Sequence, residues 1–98
     1  MTLDLRMDEG RDLLLRLVEG ADALVENFRS GWMESHGLGS EVIQERNPRC
    51  VVASLSGFGA TGPRAGQASY DIIAQAMGGF MSLTGFPDGP PLRGGGAL

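Results

Sequence analysis

Lysine is absent from this 98-residue chain, cysteine and histidine occur once each, and no long apolar run interrupts it. Each absence excludes something. Cys50, standing alone, cannot form an internal disulfide, so the expected setting is reducing and cytoplasmic. No stretch approaches the roughly 18 apolar residues that a membrane-spanning helix needs. The opening MTLDLRMDEGRD alternates and is charged, unlike a secretory leader or an arginine-rich transit peptide. With His36 alone and no Cys/His cluster, a zinc site is excluded. Because no Gly-Lys-Ser/Thr occurs, the glycine-rich stretches do not form a Walker phosphate loop. A formal net charge of −4 and a pI near 4.7 argue against a nucleic-acid partner, which would require a basic face. The length admits one small domain at most.

What is present is organised. All eight basic residues are arginines, and they are scattered. Such residues form solvated surface, or one or two are placed by the fold against a single anionic ligand. Thr2–Arg6 alternates and predicts a short strand. Asp8 suits an N-cap, and Glu9–Glu19 predicts a helix with Leu13, Leu14, Leu17 and Val18 on one face, ended by Gly20. Ala21–Phe28 predicts a buried parallel strand, which makes residues 1–28 a βαβ unit. Over 29–56, Ser30 predicts a cap for a short helix at Gly31–His36. A second helix runs from Ser40 to Arg46, Asn47-Pro48 is a stop, and Cys50–Ser56 forms a third, buried strand. A glycine-rich loop over 57–69 and a helix over 70–84 follow. The helix is expected to bury Ile72, Ile73, Ala76, Met77 and Phe80. Turn residues fill 85–98, ending in the glycine run of Gly94–Gly96 before Ala97 and Leu98. With no element to hold its far side, this last loop suggests a piece of a larger protein. The fold class is α/β, an open, mostly parallel sheet with flanking helices.

Two places offer chemistry. Asn27-Phe28-Arg29 stands at the C-terminal end of the second expected strand, where ligands bind in α/β sheets. An amide, a ring and a guanidinium there suit a purine and a phosphate, and they equally suit an ordinary strand-to-helix turn with Phe28 in the core. The loop SGFGATGP, Ser56–Pro63, exposes backbone N–H groups to a phosphate or is simply a tight turn. Its glycine spacing does not make a dinucleotide fingerprint, because Pro63 opposes a helix opening there. Cys50 precedes two valines and reads as a small buried hydrophobe, and Trp32 and the five methionines read as packing.

In order, VENFRSG (Val25–Gly31), LG-x-E with NPR (Leu38–Arg49), SGFGATGP, SYDIIAQAMGG (Ser69–Gly79) and TG-x-PDGPPL (Thr84–Leu92) resemble the class III, or CaiB/BaiF-type, CoA-transferase family. That family includes formyl-CoA:oxalate and carnitine CoA-transferases and the related acyl-CoA racemases. The resemblance implies an internal fragment of a Rossmann-like large domain and, for the parent, transfer of coenzyme A between carboxylic acids through an aspartyl covalent intermediate. It implies an interlocked homodimer and no permanently bound cofactor, with acyl-CoA and a carboxylic acid as substrates. By motif, Leu3 and Arg6 would lie along the CoA adenosine and phosphates, and Asn27 and Phe28 along the nucleotide and pantetheine. Arg6 stands where a lysine is common, Ser30 where proline is usual, and Ser35 where many members carry an arginine. The nucleophilic aspartate is expected just after Leu98, so Asp71 and Asp88 are not assigned that role. The chain alone is expected to be inactive. Tyr70, where the racemase branch has histidine, points to a transferase. The alternatives are a racemase-branch fragment, a non-catalytic CoA- or nucleotide-binding module, and a remnant that does not fold.

Overall fold

Acidic residues at one end and arginine at the other suit a helix dipole, and DEGRDLLLRLV folds as α1, Asp8–Val18, with Asp8 and Glu9 in its first turn and Arg16 in its last. The structure, a computed structural model, describes residues 1–96; the last two positions of the expected 85–98 loop lie outside the described residues. After α1 come β1 (Ala23–Glu26), α2 (Trp32–Ser35), α3 (Ser40–Arg46), β2 (Val51–Ser54), α4 (Asp71–Met77) and a 3-10 turn at Phe80–Leu83.

The two strands pair in parallel, Ala23 opposite Val51 through Glu26 opposite Ser54, with α2 and α3 in the crossover that a parallel pair needs. Leu24 and Val52, on the inner face, pack against a core of Val18, Ile43 and Cys50, which Leu15 and Ala21 complete. α1 lies against α3 over this face. Asn47 stitches the two helices together. Its Nδ2 donates to the Val18 carbonyl (2.8 Å), which also accepts the Ala21 N–H, and to the Ala21 carbonyl (2.9 Å) just beyond α1.

Several expectations are corrected. Thr2–Arg6 is a turn: the Asp4 carboxylate accepts the Arg6 backbone N–H at 3.0 Å, taking it from any strand ladder. Asp8 is not a cap but lies inside α1, paired with Arg11, and Leu17 faces solvent while Leu15 turns to the core. Ser30 does not cap α2, which Gly31 opens at φ 82°. The strands are covered on one side only, so Val25 and Val51 stay 63% and 64% exposed. The last helix breaks at Gly78-Gly79, where Gly79 takes φ 80°. Its expected buried face (Ile72, Ile73, Ala76, Met77 and Phe80) is exposed, and Gln75 is the residue turned inward.

Candidate functional site

Parallel pairing sets the C-terminal ends of β1 and β2 side by side, and the segments leaving them carry the candidate ligand groups. Behind β1, Glu26 Oε2 accepts the Phe28 backbone N–H at 2.6 Å and holds the chain in a bend that leaves Asn27 and Phe28 exposed. The Phe28 ring stacks on Trp32, with centroids 4.3 Å apart, and Trp32 stacks on His36 at 3.9 Å. The result is a three-ring ladder with one end, at Phe28, reaching the strand tip. Phe28 is therefore neither a core residue nor free: it is braced from behind. His36 Nδ1 lies 2.8 Å from the Trp32 carbonyl, an acceptor only, so Nδ1 carries the proton and Nε2 is the acceptor of the neutral ring.

Behind β2, the glycine-rich loop returns toward the β1 end. Ser30 Oγ donates to the Gly59 carbonyl at 3.4 Å and ties loop to bend. A Cβ on Gly57 would stand 2.0 Å from Ser69 Cβ, so only glycine lets β2 end against the residues that open α4. The loop thus bridges the Asn27–Phe28 bend and the Ser69–Asp71 corner. That corner also receives the glycine run, through the Arg93 guanidinium on Asp71 Oδ2 at 3.0 Å.

Leu3 and Arg6 form a separate station. Leu3 is half-buried, and the Arg11 guanidinium pins the turn to α1 by donating to the Leu5 and Arg6 carbonyls at 3.2 and 2.9 Å. The Arg6 guanidinium faces solvent but is engaged twice by Asp4, Nε on Oδ1 at 2.9 Å and a terminal nitrogen on Oδ2 at 2.7 Å. The hydrogen bonds from Arg6 hold the Asp4 carboxyl down to about 2, and the same pair raises the Arg6 guanidinium above its ordinary value. Among the described residues, no hydrogen bond or ring contact joins this turn to Asn27 or Phe28. Ser35 is engaged within α2: its Oγ donates to the Trp32 carbonyl at 2.8 Å.

A surface depression of about 390 Å³ lies in the turn-rich stretch Ser82–Pro91 and includes no strand-end residue. Trp32 and Gln75 carry roles that the sequence reading passed over. The spacing of Phe28, Trp32 and His36, four residues apart each time, was the available signal for the ladder. No comparable pattern announces Gln75.

No helix among the described residues is long and apolar enough to cross a membrane. The family model described as CoA-transferase family III matches residues 1–98. An acetyl-CoA:oxalate CoA-transferase of Acetobacter aceti is 50% identical over 98% of this chain and 25% of its own length. An acyl-CoA transferase of Fusarium pseudograminearum is 47% identical over 97% of this chain and 21% of its own. In structure, a CaiB/BaiF family protein from Brucella suis superposes with a TM-score of 0.93 at 46% identity, over 99% of this chain and 26% of that one. The chain therefore spans about a quarter of the length of the relatives it matches. Sequence motifs, parallel strand ends and an end-to-end family match agree, and the chain belongs to CoA-transferase family III.

Proposed function

We propose that these residues form part of the CoA-binding large domain of an enzyme that transfers coenzyme A from an acyl-CoA to a free carboxylic acid. The observation that carries this reading is the strand-end arrangement: Asn27 and the ladder-braced Phe28 beside a glycine-rich loop. A rigid ring next to an exposed amide can meet a planar nucleotide base, and the glycine-rich loop beside it lets backbone come close to a phosphate. The relatives' names, acetyl-CoA:oxalate and succinyl-CoA:mesaconate CoA-transferases among them, support a CoA thioester and a carboxylate as substrates. Leu3 and Arg6 supply the outer contacts, with Arg6 exchanging Asp4 for a ligand phosphate.

On this reading the chemistry is nucleophilic: an aspartate carboxylate attacks the thioester carbonyl and expels the CoA thiolate, giving an acyl-aspartyl anhydride. The thiolate then attacks the aspartyl carbonyl, releasing the donor acid and leaving an aspartyl-CoA thioester. The acceptor carboxylate displaces the thiolate from it as a second anhydride, whose acceptor carbonyl the thiolate attacks to give the new acyl-CoA and free the aspartate. Neither Asp71 nor Asp88 is that nucleophile. Asp71 is engaged by Arg93 and Gln75, and Asp88 occupies a turn at φ 60°. This chain's share is binding and placement, in a homodimeric parent, and the 98 residues alone turn over no substrate. Tyr70, 78% exposed where a racemase would place its histidine, favours transfer over racemisation.

The test is a hybrid enzyme in which residues 1–98 replace the matching quarter of the Acetobacter aceti transferase. The hybrid is expected to transfer CoA from acetyl-CoA to oxalate, and Phe28→Ala to raise its KM for acetyl-CoA about tenfold, the equivalent of roughly 1.4 kcal/mol. A folded hybrid without transfer would sink the reading. Saturable CoA binding by the 98-residue chain, with an inactive hybrid, would favour a binding module instead.

A further inference from the structure

Gln75 is out of place by composition. α4 reads DIIAQAM, with Ile72, Ile73 and Met77 available for burial, yet those three face solvent and the glutamine is 0% exposed. Burying a carboxamide is unfavourable unless its groups are matched, and here they are. Oε1 accepts the Gly94 backbone N–H at 2.8 Å. Nε2 donates to the Gly96 carbonyl at 3.0 Å and to Asp71 Oδ2 at 3.0 Å. One side chain thus reads a backbone donor and a backbone acceptor two residues apart, as a neighbouring strand would. Asp71 orients the amide from one turn below, and its Oδ2 also takes Arg93, the residue before the run. The Phe80 ring closes the other side: a Cβ on Gly94 would meet Phe80 Cε1 at 2.3 Å. Only a glycine backbone fits between the ring and the carboxamide.

We propose that Gln75 is a positioning residue of the transferase site. Its carboxamide fixes the backbone of Gly94–Gly96 against α4, the helix that follows the Ser69–Asp71 corner bounding the glycine-rich loop. The clamp itself stands on these contacts alone. Its consequence for turnover rests on the transferase reading, so the two are tested separately.

The clamp is tested on the 98-residue chain by hydrogen exchange at the Gly94 amide, comparing Gln75 with Gln75→Met, which keeps length and loses both hydrogen-bonding groups. Protection at Gly94 is expected to fall about tenfold, as loss of one buried hydrogen bond implies, with protection inside α1 unchanged. Equal protection in the two proteins overturns the clamp. Positioning is tested in the hybrid enzyme, whose activity with Gln75 in place is the separate check on the transferase reading. Gln75→Met is expected to lower kcat about tenfold and leave KM for acetyl-CoA within about twofold, a split that general loss of folded protein does not produce.

Gln75→Glu supplies the second variant, should the methionine protein fail to fold. Its carboxyl faces Asp71 on α4 and Arg93, the residue before the glycine run. Protonated, it retains both an acceptor for Gly94 and a donor; ionised, it has no donor and repels Asp71. Its kcat, relative to the Gln75 hybrid, is expected to recover as pH falls. An unchanged kcat in Gln75→Met, or a Gln75→Glu hybrid whose relative kcat does not change with pH, overturns positioning.

Discussion

At the scale of single residues, the decisive interactions are short polar contacts that redirect backbone. Asp4 is the plainest case. Its carboxylate takes the Arg6 N–H and grips the Arg6 guanidinium, which turns an alternating strand pattern into a loop. Because the folded Asp4 titrates at about 2 rather than its ordinary 3.8, the native turn holds fewer protons than the unfolded chain between those values. Its contribution is complete above the ordinary carboxylate range and is lost as pH falls through about 2. Arg6→Gln is therefore expected to move the Asp4 midpoint upward from about 2, though not fully to 3.8 because the residue-6 backbone N–H still donates to the carboxylate, read by carbon-13 titration of the carboxyl. A midpoint still near 2 would mean that the Arg6 side chain is not its cause. Asp4→Asn leaves the guanidinium free for phosphate. CoA binding by the chain, followed by calorimetry at low salt, is expected to tighten by about two- to fivefold, within the range of an exposed ion pair. No change, or weaker binding, would remove Arg6 from the phosphate contacts.

At the scale of elements, the fold rests on α1 and α3 closing over one face of a parallel pair, with Ile43 fully buried between them. Ile43→Ala is expected to cost about 2–5 kcal/mol and Asn47→Ala about 1–3 kcal/mol, since the latter removes two hydrogen bonds and strands the half-buried Ala21 carbonyl. Urea unfolding followed by circular dichroism reads both, and an Asn47→Ala midpoint equal to the parent's would reduce the stitch to decoration. These two helices and both strands were legible in the sequence because their apolar spacing, their glycine and Asn-Pro stops and their third-dimension partners all lie within the same 50 residues. The last helix was not. Ile72, Ile73, Met77 and Phe80 do fall on a helical stripe, but spacing names a stripe without naming its cover. The helix instead turned inward Gln75, whose carboxamide hydrogen-bonds the returning glycine run.

At the scale of the whole molecule, the surface is large for the mass. It measures 7300 Å², against about 5,400 Å² for a compact monomer of this size. The radius of gyration is 17.7 Å, where about 13 Å would be usual, and the extents are 55 × 30 × 26 Å. Val25 and Val51 on the open sheet face, and Ile72, Met77, Leu83 and Phe86 around α4, leave apolar area exposed. The isolated chain is accordingly expected to self-associate with rising concentration, seen as increasing mass by light scattering, and Val51→Lys to reduce it. A monomer at all concentrations would show that these faces are tolerated in water.

The sequence by itself determined the α/β class, the parallel strand order and the place of Asn27 and Phe28 at a strand end. Each follows from local periodicity, stops and the direction of a βα unit, and the ordered motifs were enough to indicate the family. Only the tertiary structure decided that Phe28 is braced by Trp32 and His36, that Arg6 is already held by Asp4, and that Gln75 clamps Gly94 and Gly96. The physical reason lies in hydrogen bonding and close approach. A glutamine can satisfy its amide with water as readily as with a backbone 19 residues away, and only the fold chooses between them.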